Sequence, residues 1–311
     1  MIALVALIST FFIPIYGTMV GMGFTTMDGW PTGVTNTRIW DIGVAWREIH
    51  LGVDVYDWSR LDAVVAQIEA IGSKATYVIG ATPQWLAKYP DQPYYAPWLG
   101  PGSNSMPYDV DEFNKFVWNL STRYRGRISA YEIWNEPQLS DFLYPYTNEE
   151  LNCLATMTSR AYNTIKSCDG AAMVLAASVL PRASSGGMSK ASTYLTILQQ
   201  HGWNVDAFTT HIYPENGADV NTWHSMLIDV KNTLASMSPP TMKIWITETL
   251  YNLNGPVIPE SDAPKYVNGT YDSATQEGVQ QLFWYAWNRP DLGGLQINSG
   301  STAWAAIRDH A

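Results

Sequence analysis

Strand-like and helix-like segments alternate along this chain with little linker between them, and that alternation leaves few architectures open. Short runs rich in β-branched and aromatic residues recur at Thr18–Phe24, Thr37–Asp41, Lys74–Gly80, Ala130–Pro137, Ala172–Ala177, Val205–Ile212, Lys243–Glu248 and Leu282–Trp287. Helical patterns fall between them. After Asp57, a good N-cap, Leu61, Val64, Val65, Ile68 and Ile71 form one stripe that Gly72 ends. Phe113, Phe116, Val117 and Leu120 make the inner face of a helix beginning near Asp109. Thr147 and Glu150 form a capping-box pattern ahead of a helix running towards Cys168. Further helices are predicted from Ser189 to Gly202, along Val220–Leu234, from Ser273 and from Thr302. Eight strands alternating with helices predict parallel β/α units closed into a single (β/α)8 TIM barrel over residues 18–311. Two stretches break the short-linker pattern: Thr82–Tyr108 after the third strand and Asn252–Tyr271 after the seventh. Loops of that length inside a compact domain are usually functional.

Two strand-like runs stop at a glutamate. One is Ala130-Tyr131-Glu132-Ile133-Trp134-Asn135-Glu136-Pro137, the other Lys243-Ile244-Trp245-Ile246-Thr247-Glu248. Chemistry in a barrel of this kind is done at the carboxyl ends of the strands. Two carboxyls delivered there from different strands match what cleavage of a glycosidic bond requires. One must be a neutral acid that protonates the leaving oxygen. The other must stay ionised beside the developing positive charge.

Composition narrows the partners. The formal net charge is −10, which sets the surface against nucleic-acid phosphates and anionic lipid. Trp (14) and Tyr (18) outnumber Phe (8), and aromatics with a polar edge suit surfaces that hold sugar rings. The alternative use of those rings is packing between barrel and helices. Cys153 and Cys168 lie about four turns apart on one predicted helix, roughly 20 Å if it is continuous, so two free thiols are expected. No His and Cys cluster has metal-ligand spacing, and two carboxylates suffice for the chemistry, so neither metal nor cofactor is expected. Residues 1–17 are nearly all apolar, but Pro14 interrupts the run and it is too short to span a bilayer. The first basic residue is Arg38. The stretch therefore reads as a structural or docking segment, able to attach the chain to a larger assembly, before it reads as a secretory signal.

The residues at the strand ends resemble the retaining glycoside hydrolases of clan A. The resemblance covers residues 18–310 and rests on Trp134-Asn135-Glu136-Pro137 after strand four and Thr247-Glu248 after strand seven. Arg38-Ile39-Trp40-Asp41, followed by Trp46 and the Asp57-Trp58 helix start, is most similar to the family 39 group. The resemblance implies Glu136 as general acid and base and Glu248 as nucleophile. It further implies Asn135 on a sugar hydroxyl, Arg38 directed at Glu248, and His211 and Tyr213 beside the pair. Trp40 and Trp85 would bind or support substrate, and Trp284 or Trp287 would form the platform under the sugar. The apolar N-terminus and the loop after strand seven have no counterpart in that pattern, so the sugar itself is not implied.

Structural readings stand beside these. Arg38 pairs with Asp41 or Glu132 in the plain reading, His211 is a hydrogen-bonded core residue, and one of the two strand-eight tryptophans must face the helices. Glu215 and Glu260 compete with Glu248 as the second carboxylate. Long loops bearing Trp85, Tyr94, Tyr95, Trp98, Tyr251 and Tyr266 favour an open groove acting within a polysaccharide. The expectation is a retaining O-glycoside hydrolase at an extracellular, cell or virion surface. The alternative is a glycan-binding module of a cell-surface or phage tail assembly with little or no catalysis.

Overall fold

The computed structural model describes residues 19–92 and 95–311. The apolar stretch 1–17 and Tyr94 lie outside the described residues. Eight parallel strands form one sheet: β1 (Val20–Gly23), β2 (Asn36–Ile39), β3 (Lys74–Ile79), β4 (Ile128–Ile133), β5 (Met173–Leu175), β6 (Phe208–Ile212), β7 (Ile244–Thr249) and β8 (Gln281–Trp284). Each strand lies beside its successor, and β8 pairs with β1. Parallel bridges Leu175↔Ala207 and Val179↔Thr210 link β5 to β6 and close the ring. This is the (β/α)8 barrel that the alternation predicts.

The helices are α1 (Trp46–Ile49), α2 (Ser59–Ala70), α3 (Val110–Arg123), α4 (Asn148–Cys168), α5 (Gly187–Gln200), α6 (Val220–Met237), α7 (Ala263–Gln276) and α8 (Thr302–Arg308). Among the described residues β1 passes to β2 with no helix between them. Two predicted caps form where polar side chains take up orphan amides: Asp109 accepts from Asp111 and Thr147 from Glu150. Before α2 the cap position is Trp58, and Asp57 accepts from the Ser59 amide one residue earlier than a cap. Leu61, Val64, Val65 and Ile68 on α2 are buried, as are Phe113, Phe116, Val117 and Leu120 on α3. Cys153 and Cys168 are both free.

One boundary is corrected. Helix α7 begins at Ala263, ten residues before the predicted Ser273, so the loop after β7 is residues 250–262 and not 252–271. Pro264 sits in the first turn, where a missing N–H costs nothing. Val267, Tyr271 and Ala274 then face the core. Read from sequence, the prolines of this stretch look like breakers.

The barrel interior is layered. At the bottom Ala130, Leu175, Ala207, Trp245 and Phe283 make a small apolar cluster. Gly21 on β1 gives the Phe283 ring its room, because a Cβ there would lie 2.7 Å from the ring. Above it the inward side chains turn polar, with Arg38, Glu132, Thr209 and Thr247 fully or almost fully buried. The larger apolar core fills the space between strands and helices.

Candidate active site

Arg38 holds the centre of the polar layer. Its strand pairs in register with Gly23 of β1 and Thr76 of β3, and its guanidinium turns into the barrel. Nε donates to Glu132 Oε2 at 2.7 Å, one terminal nitrogen to Asn135 Oδ1 at 2.9 Å, and the other to Glu248 Oε1. The remaining Glu132 oxygen accepts from Thr209 at 3.1 Å and Thr247 at 3.0 Å. Burial works against the guanidinium charge, but the adjacent Glu132 and Glu248 outweigh it and hold the proton more firmly than on a free arginine. Of the three partners considered for it, Arg38 thus joins Glu248 and Glu132 and does not bond Asp41.

Glu136 reaches the mouth because the chain kinks as it leaves β4. Trp134 and Glu136 have φ of 81° and 40°, left-handed values that cost a non-glycine residue energy. Neighbouring bonds hold the kink: Trp134 Nε1 donates to Phe142 O at 2.8 Å, and the Glu136 amide to Ser178 Oγ at 3.2 Å. Glu136 is 7% exposed, and burial pushes its pKa up to about 8. Arg38 pulls this back, while Glu132 and Asp141 add to it. At neutral pH the carboxyl carries its proton.

Glu248 owes its direction to an irregularity in β7. Simple alternation from Trp245 and Thr247 would send it outward. The register against β6 instead jumps from Thr210↔Ile246 to His211↔Glu248, which leaves Thr247 as an extra residue. Such a bulge re-aims the side chains around it. Both Thr247 and Glu248 then face the interior, one bonded to Glu132 and the other to Arg38. Tyr213 donates to Glu248 Oε2 at 2.5 Å. Burial raises the Glu248 pKa, while His211, Arg38 and the Tyr213 hydroxyl oppose the rise.

His211 joins the two carboxyls. Its Nδ1 lies 2.6 Å from Glu136 Oε1 and 3.4 Å from Glu248 Oε2. Burial lowers its pKa to about 4, so the ring is neutral. Nε2 is buried without a protein partner. The tautomer with hydrogen on Nδ1 therefore costs least, because an orphaned acceptor is tolerated better than an orphaned donor. In that state His211 donates to Glu136, and the Glu136 proton sits on the other oxygen. Donor atoms of Glu136, His211 and Glu248 all lie within 4.8 Å of one another, a spacing that an ion could use. A cation there would displace the His211–Glu136 bond and sit beside the charge of Arg38.

These groups open onto a cavity of about 700 Å³ lined at its floor by Asn135, Glu136, Tyr213 and Glu248. Trp40, Leu99 and Phe142 form an apolar wall, and Trp98, 60% exposed, stands at the rim. Of the predicted site residues, Arg38, Trp40, Asn135, Glu136, His211, Tyr213 and Glu248 are brought together.

Trp85, Trp284 and Trp287 are not. Trp85 donates to the His50 carbonyl and packs edge-on against that ring, inside an aromatic cluster with Tyr56 and Phe116. Trp284 is fully buried in the helix layer, bonded to the Tyr271 hydroxyl on α7. Trp287 donates to the Gly29 carbonyl and packs on Trp304. The expected platform under the sugar is therefore neither tryptophan. Strand alternation explains why: Phe283 faces in, Trp284 out, and Tyr285, which the sequence reading passed over, arrives at the cavity. The same alternation, applied to strand eight, was the available signal. Tyr251 is buried against Thr270, Glu215 pairs with Arg182, and Glu260 caps the α8 amide of Thr302.

No protein-family model and no curated protein matches this chain. Solved structures do. A glucosidase from Croceicoccus marinus superposes with a TM-score of 0.72 at 13% identity, over 95% of this chain and 67% of its own. The GH39 enzyme from Xanthomonas axonopodis pv. citri gives 0.70 at 18% identity, over 93% and 65%. A thermostable mutant of a xylanase from Cellvibrio japonicus gives 0.64 at 10% identity, over 94% and 96%. The fold is shared with glycoside hydrolases. The chain spans about two thirds of the length of the first two and nearly all of the xylanase. This shared barrel agrees with the clan A resemblance at the strand ends. Among the described residues no helix is long and apolar enough to cross a membrane.

Proposed function

We propose that this chain is a retaining glycoside hydrolase that cleaves oligosaccharides or polysaccharides by double displacement, with Glu136 as general acid and base and Glu248 as nucleophile. The observation that carries the reading is the unequal pair itself. Two buried carboxyls share one open cavity with oxygens within 4.8 Å, one neutral and the other bonded to a buried guanidinium. An oxygen of each thus lies no farther than 4.8 Å from the other, which fits the roughly 5 Å of direct attack better than the wider gap that an intervening water needs.

In the first step Glu136 gives its proton to the glycosidic oxygen as that bond breaks, and Glu248 bonds to the anomeric carbon. The hydrogen bond from His211 Nδ1 then steadies the new Glu136 carboxylate. Arg38 and Tyr213 each hold one Glu248 oxygen, which fixes the carboxylate face and favours its ionised form. In the second step Glu136 takes a proton from water, the water oxygen attacks the anomeric carbon, and Glu248 leaves with configuration retained.

A glycan panel digested by the wild-type chain and by Glu136→Gln tests this, with products read by mass and the first-formed anomer read by NMR. The reading expects wild-type cleavage with a retained anomer and loss of cleavage in the variant. An inverted first product, or glycan binding without turnover, would sink it; the second outcome is that of a binding module.

A further inference from the structure

Among the cavity residues that take no part in the steps above are Asp41, just past β2, and Tyr285, just past β8. In the ring β1 lies between those strands. The end of β1 is Gly23, and a Cβ there would stand 3.1 Å from Cδ2 of the Tyr285 ring. The missing side chain lets the phenol lie across the strand end, where its hydroxyl donates to Asp41 Oδ2 at 2.5 Å. Trp40, on the other side of Asp41, contributes its ring to the same cavity wall.

Asp41 is thus held in a fixed orientation at the wall of a sugar-sized cavity. A carboxylate offers about four lone-pair positions, and the phenol occupies one. Burial raises the Asp41 carboxyl above its usual range, and the Tyr285 hydroxyl, the Asp41 amide, Arg38 and Arg289 all pull it back towards the ionised form. The Tyr285 amide donates to the carbonyl of Thr249, next to Glu248, at 3.0 Å, and its hydroxyl holds Asp41. Both therefore stand on the nucleophile side of the cleavage point.

We infer that Asp41 is a specificity-determining residue that accepts hydrogen bonds from hydroxyls of the sugar destined for attachment to Glu248, and that Tyr285 is the residue positioning it. The inference rests on the glycosidase reading. A polar wall built to accept from a hydroxyl rejects an analogue lacking it, because a buried acceptor is then left unpaired. Selection acts on the glycone and is indifferent to the leaving group.

The test compares aryl β-glucosides and β-xylosides with their 3- and 4-deoxy glycones, all carrying one leaving group, on wild type, Asp41→Ala and Tyr285→Phe. In the wild type, removing one of these hydroxyls should lower kcat/KM at least about 100-fold. In Asp41→Ala that penalty should shrink to within about threefold, because the intact sugar has lost the same bond. Tyr285→Phe keeps the ring and should shrink the penalty partway. Equal slowing of intact and deoxy substrates in Asp41→Ala, or an unchanged deoxy penalty, would overturn the assignment in favour of a structural role. Calorimetry of glucose, xylose and their deoxy forms on Glu136→Gln separates this from failure of the parent reading. With no turnover in the wild type, an Asp41-dependent affinity ratio still supports the subsite, and its absence overturns the subsite too.

Discussion

The two layers inside the barrel share the strands β4 and β7, yet they obey opposite rules. The lower layer, Ala130, Leu175, Ala207, Trp245 and Phe283, is held by apolar packing, and any side chains that fill the volume would serve. The upper layer, around Arg38 and Glu132, is charged and buried, with Arg38, Glu132, Thr209 and Thr247 each committed to a named partner. Removing water from two carboxyls and a guanidinium is expensive, and such an arrangement survives only when the geometry satisfies every member. The comparison separates what closes the barrel from what prepares it for chemistry: volume below, paired charge above.

Four substitutions can break or sharpen that division. Glu248→Ala should lower turnover by on the order of 10⁴-fold or more while leaving the fold intact, measured as kcat beside circular dichroism. A smaller loss would remove the nucleophile from the upper layer. Arg38→Met strands two buried carboxyls and should cost roughly 3–5 kcal/mol of stability together with activity, read by denaturant unfolding and by rate. Stability left unchanged would mean the upper layer is not held by this pairing.

Phe283→Ala should also cost about 3–5 kcal/mol, but turnover per folded molecule should stay near that of the wild type, because only the lower layer is emptied. A parallel loss of rate would show the layers to be coupled. The smallest expected effect is in the pH profile. Above about pH 8 Glu136 loses the proton it must donate, so kcat/KM should fall there. Glu136→Gln, assayed on a glycoside with an activated leaving group, should lack that limb. Linkage gives the matching sign in stability. The folded chain keeps a proton that the unfolded chain releases between 4.5 and 8, so the wild type loses stability relative to Glu136→Gln as pH rises through that window. A constant difference across the window would show that Glu136 is not held neutral.

Much of the barrel was readable from sequence because strand and helix periods, caps and turn residues are local properties. The apolar stripes of α2 and α3 and the caps at Asp109 and Thr147 fall where the pattern puts them. Helix α7 was misplaced because its prolines signal a break unless one knows that Pro264 opens a helix. The tryptophans were misassigned for a different reason. Residue type suggested sugar stacking at Trp284 and Trp287, while facing, which decides access, placed Tyr285 at the cavity.

What the sequence by itself determined is the succession of parallel β/α units and the presence of a glutamate at the ends of β4 and β7, since both follow from periodicity and position along the chain. Tertiary structure alone decided which way those glutamates point. On alternation Glu248 belongs to the helix layer; the bulge at Thr247, set by pairing with β6 and β8, turns it inward. The kink at Trp134 and Glu136 does the same for the other carboxyl. The bulge depends on main-chain register against the neighbouring strands and the kink on bonds to Phe142 and Ser178, and alternation along the chain encodes neither.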